Sequence, residues 1–544
     1  MNRRTFLQLV SALTSAGGFL SSCRQDPSHS VTGQLRGASH QIGHLLREGK
    51  IPAPSHEMAI PVVIIGGGVS GLSAAWKLKK AGFQEFQVFE LEPECGGNAR
   101  FGENRITSFP WGAHYLPIPT RESKAVVELL EELGVIEGYT TTGTPIYREQ
   151  YLCFDPQERL YIHGRWQEGL LPLVGATRGD LDEYTRFKDL MLSYRHRRGN
   201  DSRKPFAIPM DFSSRDPEFQ DLDRFSMHEY LKRNGLDSPR LHWYVNYACR
   251  DDFGTSYTNV SAWAGLHYFA SRDAGDEEIE NTSVLTWPEG NGWIIRRLRE
   301  SLATSITTHS LVFHVSPMKN SVLVDVYNLQ TGDSTRIRSE HVIFSCPRFL
   351  GKYLLDPVAK ESPEISAEFE YAPWLVANLS LKSFPLPRNG SPLSWDNVIY
   401  DSESLGYVVA THQSLKTFIP ETVFTYYYAM TGSPASHERT RLLETDWKSW
   451  LDFIVRDLSK PHPEIAQLVT QLDVFRWGHA MVRPRPGFMW GAARQEAAKS
   501  IGNIHFAHSD LSGFSIFEEA QYRGILAAEK ILRKLGVSFS SSLA

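Results

Sequence analysis

Cysteine is scarce in this chain, with 5 among 544 residues. Cys23 stands alone near the start, and Cys95, Cys153, Cys249 and Cys346 are widely spaced. Nothing reads C-x-x-C, C-x-x-C-H or a zinc spacing, so local motifs give no covalent haem, no metal site and no nameable disulfide pair. An excess of one charge is also lacking. The net charge of −5 and the pI near 6.5 give no support for a nucleic-acid partner. No apolar run makes a good membrane span, because residues 6–20 are short, partly polar and interrupted by Gly17-Gly18. What is present is ordinary globular material: 41% apolar residues and 12% aromatics, enough to line a pocket as well as a core. A chain of 544 residues is too long for one core, and two intertwined domains are expected.

The densest signal lies in residues 61–100. Val62-Val63-Ile64-Ile65 has the pattern of a fully buried parallel strand. Gly66, Gly68 and Gly71 then give G-x-G-x-x-G at a strand-to-helix turn, with Ser70 inside it. Gly66 permits the tight turn, Gly68 lets backbone approach a pyrophosphate, and Gly71 lets the helix pack on the sheet. Leu72, Ala75, Trp76 and Leu78 supply the apolar helix face. A second strand, residues 86–89, ends at Glu90, about 20 residues past the glycines, where a carboxylate can bind ribose hydroxyls. An acid there argues against a 2′-phosphate on the nucleotide. The motif alone does not separate NAD from FAD.

The next residues, Gly96-Gly97-Asn98-Ala99-Arg100, resemble the GG-x-x-R signature of the FAD-dependent amine oxidase and phytoene desaturase superfamily. Residues 32–40 (TGQLRGASH) and 247–272 resemble segments of bacterial spermidine dehydrogenase-like flavoproteins within it. The resemblance implies an α/β architecture: a Rossmann-like FAD domain of the GR2 type with an inserted α+β substrate domain. It implies FAD as cofactor, held by Gly66, Gly68, Ser70, Gly71, Glu90, Gly96, Gly97, Asn98, Arg100, Val312, Asp510 and Phe517. Haem, carried non-covalently by some such proteins, is possible but no local motif indicates it. The expected parts are a signal peptide over 1–23 and a linker over 24–57. FAD-domain parts follow at 58–119, 286–370 and 471–540, and substrate-domain parts at 120–285 and 371–470.

Several expectations attach to particular stretches. Phe109–Tyr115 in numbers 109–115 reads FPWGAHY and resembles the loop that passes the flavin, making Trp111, His114 and Tyr115 pocket candidates. Residues 373–433 are rich in β-branched and aromatic types and read as antiparallel strands. Amine oxidases of the superfamily often carry a lysine here, but Val376-Ala377-Asn378 has none, which puts a standard oxidase reaction with oxygen in doubt. His508-Ser509-Asp510 resembles the family's F-A-G-[DE] exit, with His508 in place of glycine. Residues 515–518 read as a capping box opening the last helix, whose N-terminus favours negative charge on a reduced flavin. The family's cage tyrosine is matched only by Ile516.

His114, Tyr115, Asp252 and Trp263 are the candidate catalytic or substrate-contacting residues. Asp251 and Asp252 are adjacent, so only one need face a pocket; the other reading is an Arg250–Asp252 ion pair with the aromatics in the core. The leading expectation is an FAD-dependent oxidoreductase taking hydride from the C–N bond of a small amine such as a polyamine, with the electron acceptor unknown. A desaturase- or isomerase-like enzyme acting on a lipid or polyene, and a non-catalytic FAD-binding lipoprotein, are the alternatives. Asn2-Arg3-Arg4-Thr5-Phe6-Leu7 resembles a twin-arginine signal, and Leu20-Ser21-Ser22-Cys23 a lipobox. Export to the periplasm or cell surface with membrane attachment through a lipidated Cys23 is therefore expected.

Overall fold

The computed structural model describes residues 31–272, 283–359, 365 and 367–544; the expected signal segment and Cys23 lie outside them. Val62–Ile65 is fully buried and forms the middle of a five-stranded, all-parallel sheet. Its neighbours are Phe86–Phe89 on one side and His341–Phe344 on the other, with Ile306–Thr307 and Ile504–Phe506 at the edges. Burial on both faces explains why these strands are continuous apolar runs. The helix Val69–Lys80 follows the glycine turn and packs against the C-terminal helix Phe517–Lys534. A four-stranded sheet built on Ser310–Pro317 flanks this half.

The second half is an eight-stranded mixed sheet. Its central strand, Tyr371–Leu381, is buried throughout and pairs antiparallel with Thr422–Ala429 and with Val469–Val482. Leu375, Ala377 and Leu379 face the helices Ala435–Glu444 and Trp447–Leu458 through one apolar cluster; Trp374 and Val376 point to the opposite face. The helices Pro239–Phe253 and Ala262–Ala270 stand between the two halves. No helix among the described residues is long and apolar enough to cross a membrane.

Three expectations need correction. Residues 24–57 are not simply a linker: Thr32–Gly37 adds a parallel edge strand beside Gln471–Arg476 in register, His40–Glu48 is a helix, and His56–Ala59 joins the four-stranded sheet. Backbone pairing holds these strands, so their exposed polar side chains carry no strand pattern. The boundary expected at 470 falls inside Val469–Val482, which stays in the substrate-side sheet to its end. Ser515 does not cap the last helix. The N-cap is Ile516, and the Ser515 hydroxyl instead accepts the Val482 N–H at 3.1 Å.

The two long helices of the nucleotide half touch through glycine. A Cβ on Gly524 would lie 2.1 Å from the Ser70 carbonyl oxygen. Gly524→Ala is therefore expected to cost about 1–3 kcal/mol by overpacking and to loosen the helix carrying the dinucleotide turn. Thermal melting and flavin retention on a desalting column would check it; unchanged values in both would show that the helices part easily.

Candidate functional site

The glycine turn has the geometry its sequence demands. Gly66 has φ +99°, and Gly71 packs so tightly that a Cβ would sit 2.0 Å from the Gly66 carbonyl oxygen. Gly68 differs: a Cβ there meets nothing closer than Gly97 Cα at 3.9 Å, so its outer side is open. Gly96 and Gly97 take φ +146° and +54° and run beside Gly68, closing a cradle made of backbone. The helix beginning at Val69 has no side-chain cap, leaving its first N–H groups free for an anion. Glu90 accepts the Gly67 N–H at 2.7 Å and the Glu92 N–H at 2.9 Å, and burial raises its pKa. Each of its oxygens keeps a lone pair for a hydroxyl. This donor set suits the ribose and pyrophosphate of a dinucleotide.

Other expected cofactor residues divide by role. Ser70 does not offer its hydroxyl, which donates to the Ala507 carbonyl; only its backbone N–H remains for a ligand. The Arg100 guanidinium pairs with Glu92 at 3.3 Å and lies over Phe475. Val312 is buried beside a bulge in Ser310–Pro317. Asp510 is fully buried: it accepts the Arg348 N–H at 2.7 Å and the Tyr371 hydroxyl at 2.6 Å. Its pKa is held low against burial by His508, whose Nδ1 is 3.0 Å from Oδ1. His508, where the family has glycine, thus serves the acid that follows it.

Beyond the cradle opens a cavity of about 140 Å³. Asn98, His114, Tyr115, Asp252 and Phe517 all reach its wall. Asn98 Nδ2 also donates to the Ala480 carbonyl at 2.5 Å. The sheet contributes Trp374, Val376, Tyr427 and Trp477, which share one face because Val376 pairs with Tyr427 and Trp374 with Trp477. Sequence reasoning missed these three aromatics. Their period-2 placement was visible in the strand pattern, but the face turned to the cavity was not. The His114 ring lies tilted against that of Tyr427, centroids 4.5 Å apart, and burial lowers its pKa to about 3, so it is a neutral wall at ordinary pH. The Tyr427 hydroxyl donates to the Gly112 carbonyl at 2.9 Å and fixes that wall. Three lining residues carry buried polar atoms without a hydrogen-bond partner among the described residues, Asn291 Oδ1, Trp374 Nε1 and Glu518 Oε2.

The carboxylates depart from expectation. Asp251 and Asp252 both line the cavity, at the last turn of Pro239–Phe253 before Gly254 ends it in the left-handed conformation. Neither has a hydrogen-bond or ion-pair partner among the described residues. Burial, then Asp252, raises Asp251 to about 7; burial raises Asp252 to about 6, with Arg272 opposing. Both residues are half-buried at the cavity wall. Arg250 makes no pair with Asp252 and donates instead to the Ser402 and Ser404 carbonyls at 3.3 and 2.9 Å. Trp263 is not a pocket residue: fully buried on Ala262–Ala270, it packs against Phe206, His267, Trp490 and Phe514. Its apolar surface is worth more in that core than on a wet wall. Arg272, paired with Glu518 at 2.8 Å, completes the polar side.

A family model described as an NAD(P)-binding Rossmann-like domain matches residues 64–133. An oxidoreductase, PigB, of a Serratia strain is 23% identical over 89% of this chain and 78% of its own. Polyamine oxidase 4 of rice, Oryza sativa, is 26% identical over 79% of this chain and 78% of its own. A solved putrescine oxidase variant shares the fold with TM-score 0.65 at 16% identity, covering 88% of this chain and all, 100%, of that one. A fatty acid isomerase from P. acnes does so with TM-score 0.61 at 14%, covering 87% and 98%. The chain is thus similar over most of its length to PigB and to polyamine oxidase 4, and it shares the fold of putrescine oxidase. The open cradle at Gly68, the hydroxyl-ready Glu90 and the uncapped helix fit FAD as its cofactor.

Two measurements follow from this geometry. Gly68→Val fills the open side of the cradle and Glu90→Ala removes the ribose acceptor, the latter costing about 1.5–3 kcal/mol of FAD affinity. Full flavin occupancy in both purified variants would contradict the assignment. Asp251→Asn tests the buried charge. Because its pKa is raised, the folded state holds a proton that the unfolded state releases above the ordinary 3.8. Stability is therefore full below that value and lost as pH rises to about 7, by roughly 4 kcal/mol at most. In melts of the FAD-loaded protein, the variant should match the parent near pH 4 and exceed it above pH 7. Equal melting at both ends would show that Asp251 is solvated.

Proposed function

We propose that this chain is a flavin oxidoreductase that oxidises an amine carrying a second, distant cationic group, a polyamine being the simplest case. The observation that carries the reading is the pair Asp251 and Asp252, half-buried, without a hydrogen-bond or ion-pair partner among the described residues, and lining the cavity. With Glu518 they set three carboxylates against the single guanidinium of Arg272 on the cavity wall. A bound ammonium supplies the missing partner and favours ionisation of both acids. FAD, when bound, would supply a two-electron acceptor for the hydride of the C–H bond beside the amine nitrogen, leaving the C–N bond oxidised to an imine. The chain's own groups bind and orient the substrate. The carboxylates hold the distal ammonium, while Trp374, Tyr427, Trp477 and neutral His114 surround the reacting end with a wall that favours an uncharged amine. The Tyr115 phenol, its pKa raised by burial and by Asp251, stays protonated and donates rather than accepts protons. The names of two matched proteins, polyamine oxidase 4 and putrescine oxidase, support the same substrate class.

The fatty acid isomerase likeness favours a second reading, a lipid substrate. The excess of carboxylates argues against it, since a fatty acid would bring another negative charge to the same wall. Stopped-flow mixing under anaerobic conditions separates them. Spermidine or a related amine is expected to bleach the flavin. Asp251→Asn and Asp252→Asn should weaken apparent binding on the order of ten-fold while changing the limiting rate less, because the contact is remote from the transferred hydride. Bleaching by a polyene or fatty acid and by no amine would overturn the amine assignment. No lysine lines the cavity among the described residues, so slow reoxidation in air is part of the proposal.

Export and lipidation at Cys23 belong to the same proposal, on the strength of the Arg3-Arg4 and Leu20–Cys23 motifs, 20–23 reading LSSC. Arg3→Lys with Arg4→Lys should leave the protein in the cytoplasm, and Cys23→Ser should release it from membranes after cell fractionation. Retention of the cleaved Cys23→Ser protein in the membrane fraction would contradict lipid anchoring.

A further inference from the structure

The most exposed large apolar side chains among the described residues are Phe418 at 79%, Leu415 at 73% and Leu386 at 63%. They sit on two loops, residues 382–395 and 410–421, which leave the eight-stranded sheet at the same end. Register fixes this: Leu381 pairs with both Thr422 and Val469, and Thr32 pairs with Gln471 on the same strand. The first described residue, Val31, therefore emerges at that end too. Three strand spacings separate Thr32–Gly37 from Thr422–Ala429, about 14 Å. The eight peptide steps from Cys23 to Val31 span at most about 29 Å.

Free charge at this end is of both signs, with Glu103 and Asp155 exposed and outside any ion pair among the described residues. Glu421 and Glu464 are each paired, with Arg105 and Arg388. Lys382 and Lys416 are exposed and have no acidic partner among the described residues. The tip at Arg105 is tied to the same end by Asn104 Nδ2, which donates to the Ser380 hydroxyl at 3.0 Å. Apolar tips on two neighbouring loops, within reach of the anchoring cysteine, match a phospholipid surface, with Lys382 and Lys416 placed to meet its phosphates.

We propose that this sheet end docks on the bilayer, with Phe418, Leu415 and Leu386 entering the headgroup boundary. The docking rests on the lipidation of Cys23: the short tether holds this end against the membrane, and the loops then set the protein's orientation. Neither loop lines the cavity, so the substitutions below leave flavin and substrate binding untouched.

The lipidated protein is to be reconstituted on vesicles of phosphatidylethanolamine and phosphatidylglycerol. Phe418→Cys, and separately Leu415→Cys, carry an environment-sensitive fluorophore; Leu181→Cys, exposed on the helix Arg178–His196, is the reference. Of the four described native cysteines, three are buried. Docking predicts blue-shifted emission and quenching by nitroxide lipids at 418 and 415, and neither at 181. Protein that sediments with the vesicles while all three labels report water would overturn docking and leave the anchor standing. Protein that stays in the supernatant would overturn the anchor and the docking with it.

Discussion

At the first turn of Val69–Lys80, three stretches of backbone meet through two glycines and one serine hydroxyl. Gly71 lies against the Gly66 carbonyl, Gly524 lies against the Ser70 carbonyl, and the Ser70 hydroxyl reaches the Ala507 carbonyl. The turn, the C-terminal helix and the last parallel strand are thereby fixed to one another. Both helices begin without side-chain caps, so their free N–H groups are aimed by this contact rather than by local capping. The same contact positions Ile516 and Phe517 on the cavity wall. Nucleotide cradle and substrate cavity are therefore parts of one rigid arrangement, and a change at the crossing of the two helices reaches both.

The cavity itself is divided by chemistry. One wall is a face of the sheet, aromatic and held by a hydrogen bond to the loop before His114. The other carries carboxylates whose burial is unfavourable without a partner. Such groups lower stability unless a ligand compensates them, which is the ground for reading them as binding groups. Neutral His114 between the two walls shows how strongly burial acts here, since its imidazole stays unprotonated far below neutrality.

Much of the nucleotide half was legible because its requirements are local. A buried strand, glycines at fixed spacing, a helix and a terminal acid each state a backbone constraint within 61–100. The antiparallel strands of 373–433 were legible from composition in the same way. Other features depend on contacts distant in sequence. Thr32–Gly37 is a strand only because Gln471–Arg476 offers an unpaired edge. Ser515 looks like a cap, but the Val482 N–H, 33 positions away, takes its oxygen. Trp263 and Trp374 are equally aromatic in sequence, yet one fills the core and the other the cavity. The pairing of Asp251 with Asp252 on one wall was missed because ideal helix geometry separates neighbours, whereas the helix ends at Gly254 immediately beyond them.

The central claim is that ionised Asp251 and Asp252 select a cationic substrate. Calorimetric binding of a diammonium that the flavin cannot oxidise, to the oxidised holoprotein across pH 5 to 8, tests it most directly. Their raised values of about 7 and about 6 predict weak binding at the acid end, strengthening through that window and levelling above it, with loss of the slope in the Asp251→Asn, Asp252→Asn double variant. Binding that is independent of pH, or that persists unchanged in the double variant, would contradict the account.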